Sequence, residues 1–138
     1  MIADKVRLGF LIMLPLLFSE ISFAKEPTRI ESELGMQSTF SLGNNGFIGS
    51  ISEAEKLYLA ILQLDNAHEA FMRLATSSTS TPESKLYAIC GLKKLGQALP
   101  TTPEFSGNSS REVTVLKGDI LRTVRFNEIY DSIKVHGC

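Results

Sequence analysis

The chain has 138 residues, with 14 basic and 15 acidic side chains, and its formal net charge at neutral pH is −1. Electrostatic capture of nucleic acid or anionic lipid is disfavoured as the main activity, because both need clustered Lys and Arg. The length suits one ordinary domain with its own hydrophobic core.

Residues 1–24 have the three regions of a cleavable signal peptide. Lys5 and Arg7 form a short basic region, and Leu8 to Phe18 is an uncharged, almost wholly apolar run. That run is shorter than the roughly 20 residues a membrane-spanning helix needs. Ser22 and Ala24 place small residues at the −3 and −1 positions that a signal peptidase reads. We therefore expect cleavage after Ala24, a periplasmic or secreted location, and no stable membrane insertion after cleavage.

Residues 25–51 predict a loop-rich N-terminal segment with few large apolar side chains. Gly43-Asn44-Asn45-Gly46 lies between two short apolar stretches, residues 39–42 and 47–48. An Asn-Gly step favours the positive φ angles of a tight hairpin turn, so these stretches could pair with each other. A plain flexible loop is the alternative, and the arms are too short to decide between them.

The first strong helical pattern starts at Ser52, which forms a Ser-x-x-Glu capping box with Glu55. Apolar residues then recur with helical spacing: Leu57, Ile61, Leu64, Phe71 and Leu74. We predict a helix over about residues 53–75, with Asp65-Asn66 as a place where it could divide into two. His68 takes a position on the apolar stripe, where it is either a hydrogen-bonded boundary residue or, less commonly, a ligand.

A second helix is predicted from Thr81, a capping residue that is followed by Pro82 at the first helical position. The segment from Leu86 to Leu95 is apolar almost all round, which predicts that this is the central helix of the fold. Gly91 inside it would let another helix approach closely, and Gly96 is a natural stop.

The remaining chain is ambiguous in period. Residues 112–126 alternate like two strands joined by a turn at Lys117-Gly118-Asp119, although a helix starting at Asp119 is a rival interpretation. A last helix is predicted after Asn127. Asn108, which precedes residues 112–126, would be a glycosylation acceptor in a eukaryotic secretory pathway. The predicted fold is a mostly α domain over residues 52–138 with three to four helices and a short β-hairpin, or alternatively an α+β fold.

The two cysteines, Cys90 and Cys138, would meet an oxidising environment after export, where a disulfide is their simplest state. The alternatives are two unpaired thiols, or a nucleophilic Cys90 with His68 or His136 as its base. Because Cys90 lies in an apolar segment, its thiol would be inert. Neither the cysteines nor the histidines have the short spacing of a zinc site.

We therefore expect a non-enzymatic binding protein of the cell envelope, such as an inhibitor or immunity-type protein whose partner is another exported protein. Phe47-Ile48 or Phe105 could serve as an exposed aromatic anchor. The alternative is a small secreted hydrolase or thiol enzyme that uses His68 and Cys90. His68-Glu69 begins a His-Glu-x-x-His motif, but Met72 stands where its second histidine should be. No catalytic, metal or cofactor-binding residue is predicted.

Overall fold

The computed structural model describes residues 28–43, 45–46, 49–100 and 110–138. Within them the protein is mostly α-helical with one two-stranded antiparallel hairpin, which confirms the predicted fold class. The elements in chain order are α1 (Arg29–Gly35), α2 (Glu53–Leu62), α3 (Ala67–Thr76), α4 (Pro82–Lys94), β1 (Glu112–Lys117), β2 (Ile120–Arg125) and α5 (Phe126–His136). None of these helices is long and apolar enough to cross a membrane.

Several predicted features lie outside the described residues. They are the signal peptide over residues 1–24, the Phe47-Ile48 and Phe105 anchors, and the glycosylation acceptor Asn108.

The long first helix is divided where the sequence suggested. α2 ends at Leu62 and α3 begins at Ala67, with Asn66 at its N-cap position but without a side-chain capping bond. At the start of α2 the capping box is only half formed. Ser52 Oγ accepts a hydrogen bond from the Glu55 amide at 3.0 Å, whereas the Glu55 carboxylate accepts one from the Gly43 amide at 2.9 Å. Glu55 therefore holds the N-terminal segment against α2.

The central helix is α4, as predicted. Thr81 Oγ1 caps it by accepting a hydrogen bond from the Ser84 amide at 3.1 Å. All residues from Leu86 to Leu92 are buried, so the helix is surrounded on every side. It packs against α3 most extensively and also contacts α1, α2, α5 and β1.

Gly91 is the point of closest approach between α3 and α4. A Cβ atom built on Gly91 would lie 2.3 Å from Cε2 of Phe71, far inside van der Waals contact. The buried Phe71 ring therefore occupies the space that any other residue at position 91 would need.

The hairpin interpretation of residues 112–126 is confirmed, and the rival helix from Asp119 is not formed. β1 and β2 pair in register from Glu112↔Arg125 to Lys117↔Ile120. The two-residue connection starts with Gly118 at φ +62°, a conformation that suits glycine. α5 follows β2 directly, and its buried Phe126 and Ile133 face the core.

The N-terminal segment departs from the predicted local hairpin. Phe40 forms a parallel bridge with Val115 of β1, in which its amide donates to the Thr114 carbonyl oxygen at 2.8 Å. Its own carbonyl oxygen accepts from the Leu116 amide at 3.0 Å. The first predicted arm thus pairs with a strand far along the chain. This segment also contains α1, a helix of only two turns that is too short for a periodic signal in the sequence.

Tyr87 of α4 fixes that segment in place. Its Oη atom accepts a hydrogen bond from the Ser41 amide at 2.8 Å and donates one to the Ser41 carbonyl oxygen at 2.9 Å. Its ring packs edge-to-face against Phe40, with 4.8 Å between centroids. Burial raises the pKa of the Tyr87 hydroxyl, which keeps it protonated and able to donate.

We predict that Gly91→Ala lowers the free energy of unfolding by about 2 kcal/mol or more, because the overpacking cost exceeds the better helix propensity of alanine. Gly35→Ala in α1 is the matched control, since its Cβ would lie 3.4 Å from the nearest atom, an ordinary contact with Leu74. Urea unfolding of both variants measures the difference. Equal stability of the two variants would contradict the close α3–α4 contact.

Candidate functional site

The structure places the two histidines of the enzymatic hypothesis on the surface. His68 is exposed on α3 and His136 is exposed on α5. The expectation that His68 lies on the apolar stripe is wrong, because the turn between α2 and α3 changes the helical phase and Ala67, Ala70 and Phe71 take the buried positions instead. Among the described residues, no three His, Cys, Asp or Glu side chains are grouped so that they could hold a metal ion.

Cys90 and Cys138 form the disulfide that the sequence favours. Their sulfur atoms lie 2.00 Å apart and their Cα atoms 5.8 Å apart, so the bond joins the middle of α4 to the end of the chain. Cys90 is buried and Cys138 is exposed. In this state Cys90 carries no thiol, and the bond restrains the segment that follows α5.

A cavity of about 520 Å³ lies beside this disulfide. Its lining includes both cysteines, Tyr58, Glu55 and Lys93. Burial, and secondarily the Glu55 carboxylate, raise the pKa of Tyr58 to about 12. The Lys93 ammonium donates to the main-chain carbonyl of Lys134 in α5. Lys93 therefore connects α4 to α5, and the Glu55 carboxylate is already bonded to the Gly43 amide.

A larger cavity of about 670 Å³ lies between α1, α3 and the linker before α4. At its wall Arg73 makes a bidentate ion pair with Glu31, with distances of 2.6 and 3.1 Å. Glu31 is only 2% exposed, and its hydrogen bond raises the pKa of Arg73. The ion pair joins α1 to α3. Because the guanidinium already has a carboxylate partner, it offers little charge to a ligand.

The two outer edges of the hairpin differ sharply. On β1, Thr114 and Leu116 direct their main-chain groups to Phe40, and the Thr114 amide also donates to Glu83 Oε1 at 3.1 Å. Glu83 is a buried carboxylate of α4, only 8% exposed. The outer edge of β1 is therefore covered by protein.

No described residue pairs with the outer edge of β2. Leu121 lies across from Leu116 and Thr123 lies across from Thr114. Leu116 and Thr114 use main-chain groups to bond Phe40, on the side away from β2. In an antiparallel ladder, residues opposite each other alternate between hydrogen-bonded and non-hydrogen-bonded pairs. In a non-hydrogen-bonded pair, the main-chain groups of both residues point away from the partner strand. The amides and carbonyls of Leu121 and Thr123 therefore face outward, and none of the described residues bonds to them.

Exposed apolar side chains accompany this open edge. Ile120 is 63% exposed and Leu121 is 62% exposed. Since adjacent residues of a strand point to opposite faces, a hairpin packed on one side cannot bury both. The adjacent Ile120-Leu121 pair directly after the turn is therefore a sign in the sequence that at least one apolar side chain of β2 is exposed.

The hairpin is also basic. Residues 111–125 contain four basic and two acidic side chains, a net charge of +2 in a chain whose net charge is −1. In α4, burial lowers the pKa of Lys85, and the Arg111 charge makes a smaller contribution in the same direction. We call the outer edge of β2, with Ile120, Leu121, Arg122 and Thr123, the open edge.

Comparison of the chain with protein family models, with curated proteins and with solved structures finds no match. Among the described residues, the open edge combines outward main-chain groups with two exposed aliphatic side chains.

We predict that Cys138→Ser lowers the free energy of unfolding by about 4 kcal/mol, which is the chain entropy that the disulfide removes from the unfolded state. Cys138 is chosen because it is exposed, so that serine leaves no buried polar group. Denaturant unfolding with and without reductant measures the loss. Reductant should lower the stability of the wild type by the same amount as the substitution and should leave the stability of Cys138→Ser unchanged. Two free thiols in the oxidised wild type would contradict the bond.

Proposed function

We propose that this chain is an exported, non-enzymatic binding domain of the cell envelope or secreted space. Its partner is another exported protein, as for an inhibitor or immunity-type protein. The observation that carries the proposal is the open edge, where main-chain groups that no described residue bonds lie beside two exposed aliphatic side chains, Ile120 and Leu121.

An exposed strand edge is a feature that proteins usually cover or use. This hairpin covers one edge with Phe40 and Glu83 and leaves the other open. Fully burying an aliphatic side chain such as Ile120 or Leu121 contributes about 1.5–3 kcal/mol. A partner that covered both would therefore gain affinity from side chains that the domain itself leaves in water.

Export is supported by two independent features. The order of basic, apolar and small residues in positions 1–24 matches a signal peptide. The Cys90–Cys138 disulfide is a bond that persists in oxidising compartments and is rare in reducing ones.

The thiol-enzyme alternative receives less support. It needs a thiolate at Cys90 within reach of a base, but in the disulfide this sulfur is bonded to Cys138. The surface positions of His68 and His136 add no buried, oriented base to that chemistry.

Affinity capture tests the proposal. The full chain, produced with its native N-terminus in an oxidising compartment, is immobilised and exposed to the envelope and secreted proteins of its source. We expect one exported protein to be retained by the wild type and at least about 10-fold less by Ile120→Ser/Leu121→Ser, which loses most of the buried aliphatic surface.

Val135→Ser is the matched control, because Val135 is 73% exposed on α5 and lies off the hairpin. It should retain the partner as the wild type does. Failure of all three proteins to retain any exported protein would overturn the proposal, and turnover of a hydrolase or thiol-enzyme substrate by the wild type would support the enzymatic alternative.

A further inference from the structure

We propose that the open edge binds an extended, acidic segment of the partner. This segment would pair with β2 and extend the β1–β2 sheet by one strand. This inference rests on the proposed function, and it specifies the chemistry of the partner.

The main-chain geometry fits strand addition. Leu121 and Thr123 each direct an amide and a carbonyl outward, because their register partners Leu116 and Thr114 direct theirs to the opposite side. Leu121 and Thr123 can therefore form up to four main-chain hydrogen bonds with a neighbouring extended segment. The part of that segment in contact would be about three to five residues long. The protein already makes this kind of contact on the other side of the hairpin, where Phe40 pairs with β1.

The charge of β2 selects an acidic segment. β2 contains Arg122 and Arg125 and no acidic residue. Arg125 lies across from Glu112, but Arg122 lies across from Val115, so its cross-strand position offers no carboxylate. An acidic side chain on an added strand next to Arg122 would supply the opposite charge that the described residues across from it do not.

The same charges disfavour a second copy of this chain as the occupant. Antiparallel pairing of β2 with β2 of a second copy would bring two arginines from each strand into one short ladder. Like charges facing each other across strands are destabilising. A partner of opposite charge is therefore favoured over self-association.

Peptide titration followed by NMR tests the inference on the full chain. The probe is a six-residue, acetylated and amidated peptide of alternating glutamate and valine, and its control replaces each glutamate with lysine. We expect the glutamate peptide to shift the amide signals of Leu121 and Thr123 and to bind at least about 10-fold more tightly than the lysine peptide, with a preference that falls as salt rises.

Two variants isolate the two parts of the inference. Thr123→Pro removes an outward amide without removing a β1–β2 hydrogen bond, so it should abolish peptide binding, whereas Thr123→Val should retain it. Arg122→Glu should reverse the preference between the two peptides. The reversal is measured independently, so the inference stays testable if Thr123→Pro does not fold.

Several results would overturn strand addition at the open edge. Equal binding of both peptides, shifts confined to other amides, or unchanged binding by a folded Thr123→Pro would overturn strand addition. A concentration-dependent dimer in sedimentation, lost in Thr123→Pro, would identify a second copy as the occupant and would also overturn it. If the peptides fail while affinity capture still retains a partner, only this inference falls; if the peptides bind but no exported protein is captured, the proposed function falls.

Discussion

The placement of the hairpin depends on one buried hydroxyl. Tyr87 binds both main-chain polar groups of Ser41, and Ser41 directly follows Phe40, the residue that pairs with β1. A buried main-chain amide without a partner costs about 1–3 kcal/mol, so this bond strongly favours one position of the N-terminal segment. With that segment in place, the outer edge of β1 is covered and β2 is left as the open edge.

The helix that carries Tyr87 is itself fixed on all sides. Gly91 lets Phe71 pack against its backbone, and Cys90 joins it to the C-terminus through the disulfide. Glu83 at its start reaches β1 through the Thr114 amide. One helix therefore holds α3, the hairpin and the chain end in a defined arrangement. The proposed binding surface is thus presented by a rigid support, which lowers the entropic cost of binding a partner.

The features that were predictable from the sequence are local ones. Thr81, Pro82 and the turn at Gly118 act through neighbours in the chain, and each was assigned correctly. At Gly91 the sequence indicates the close approach of another helix, but not that Phe71 is the residue in contact. The misassignment of His68 has a physical cause, since helical periodicity was extended across the turn that separates α2 from α3.

The contacts that organise the surface join distant parts of the chain, and the pattern of a single sequence holds no signal for them. Glu31–Arg73, Glu83–Thr114 and Phe40–Val115 are of this kind. Amide hydrogen exchange in Tyr87→Phe tests the central claim most directly. We expect the Leu116 amide, which donates to Phe40, to exchange at least about 10-fold faster relative to the Val115 amide, which faces β2. Equal acceleration of both amides, or no change at either, would contradict it.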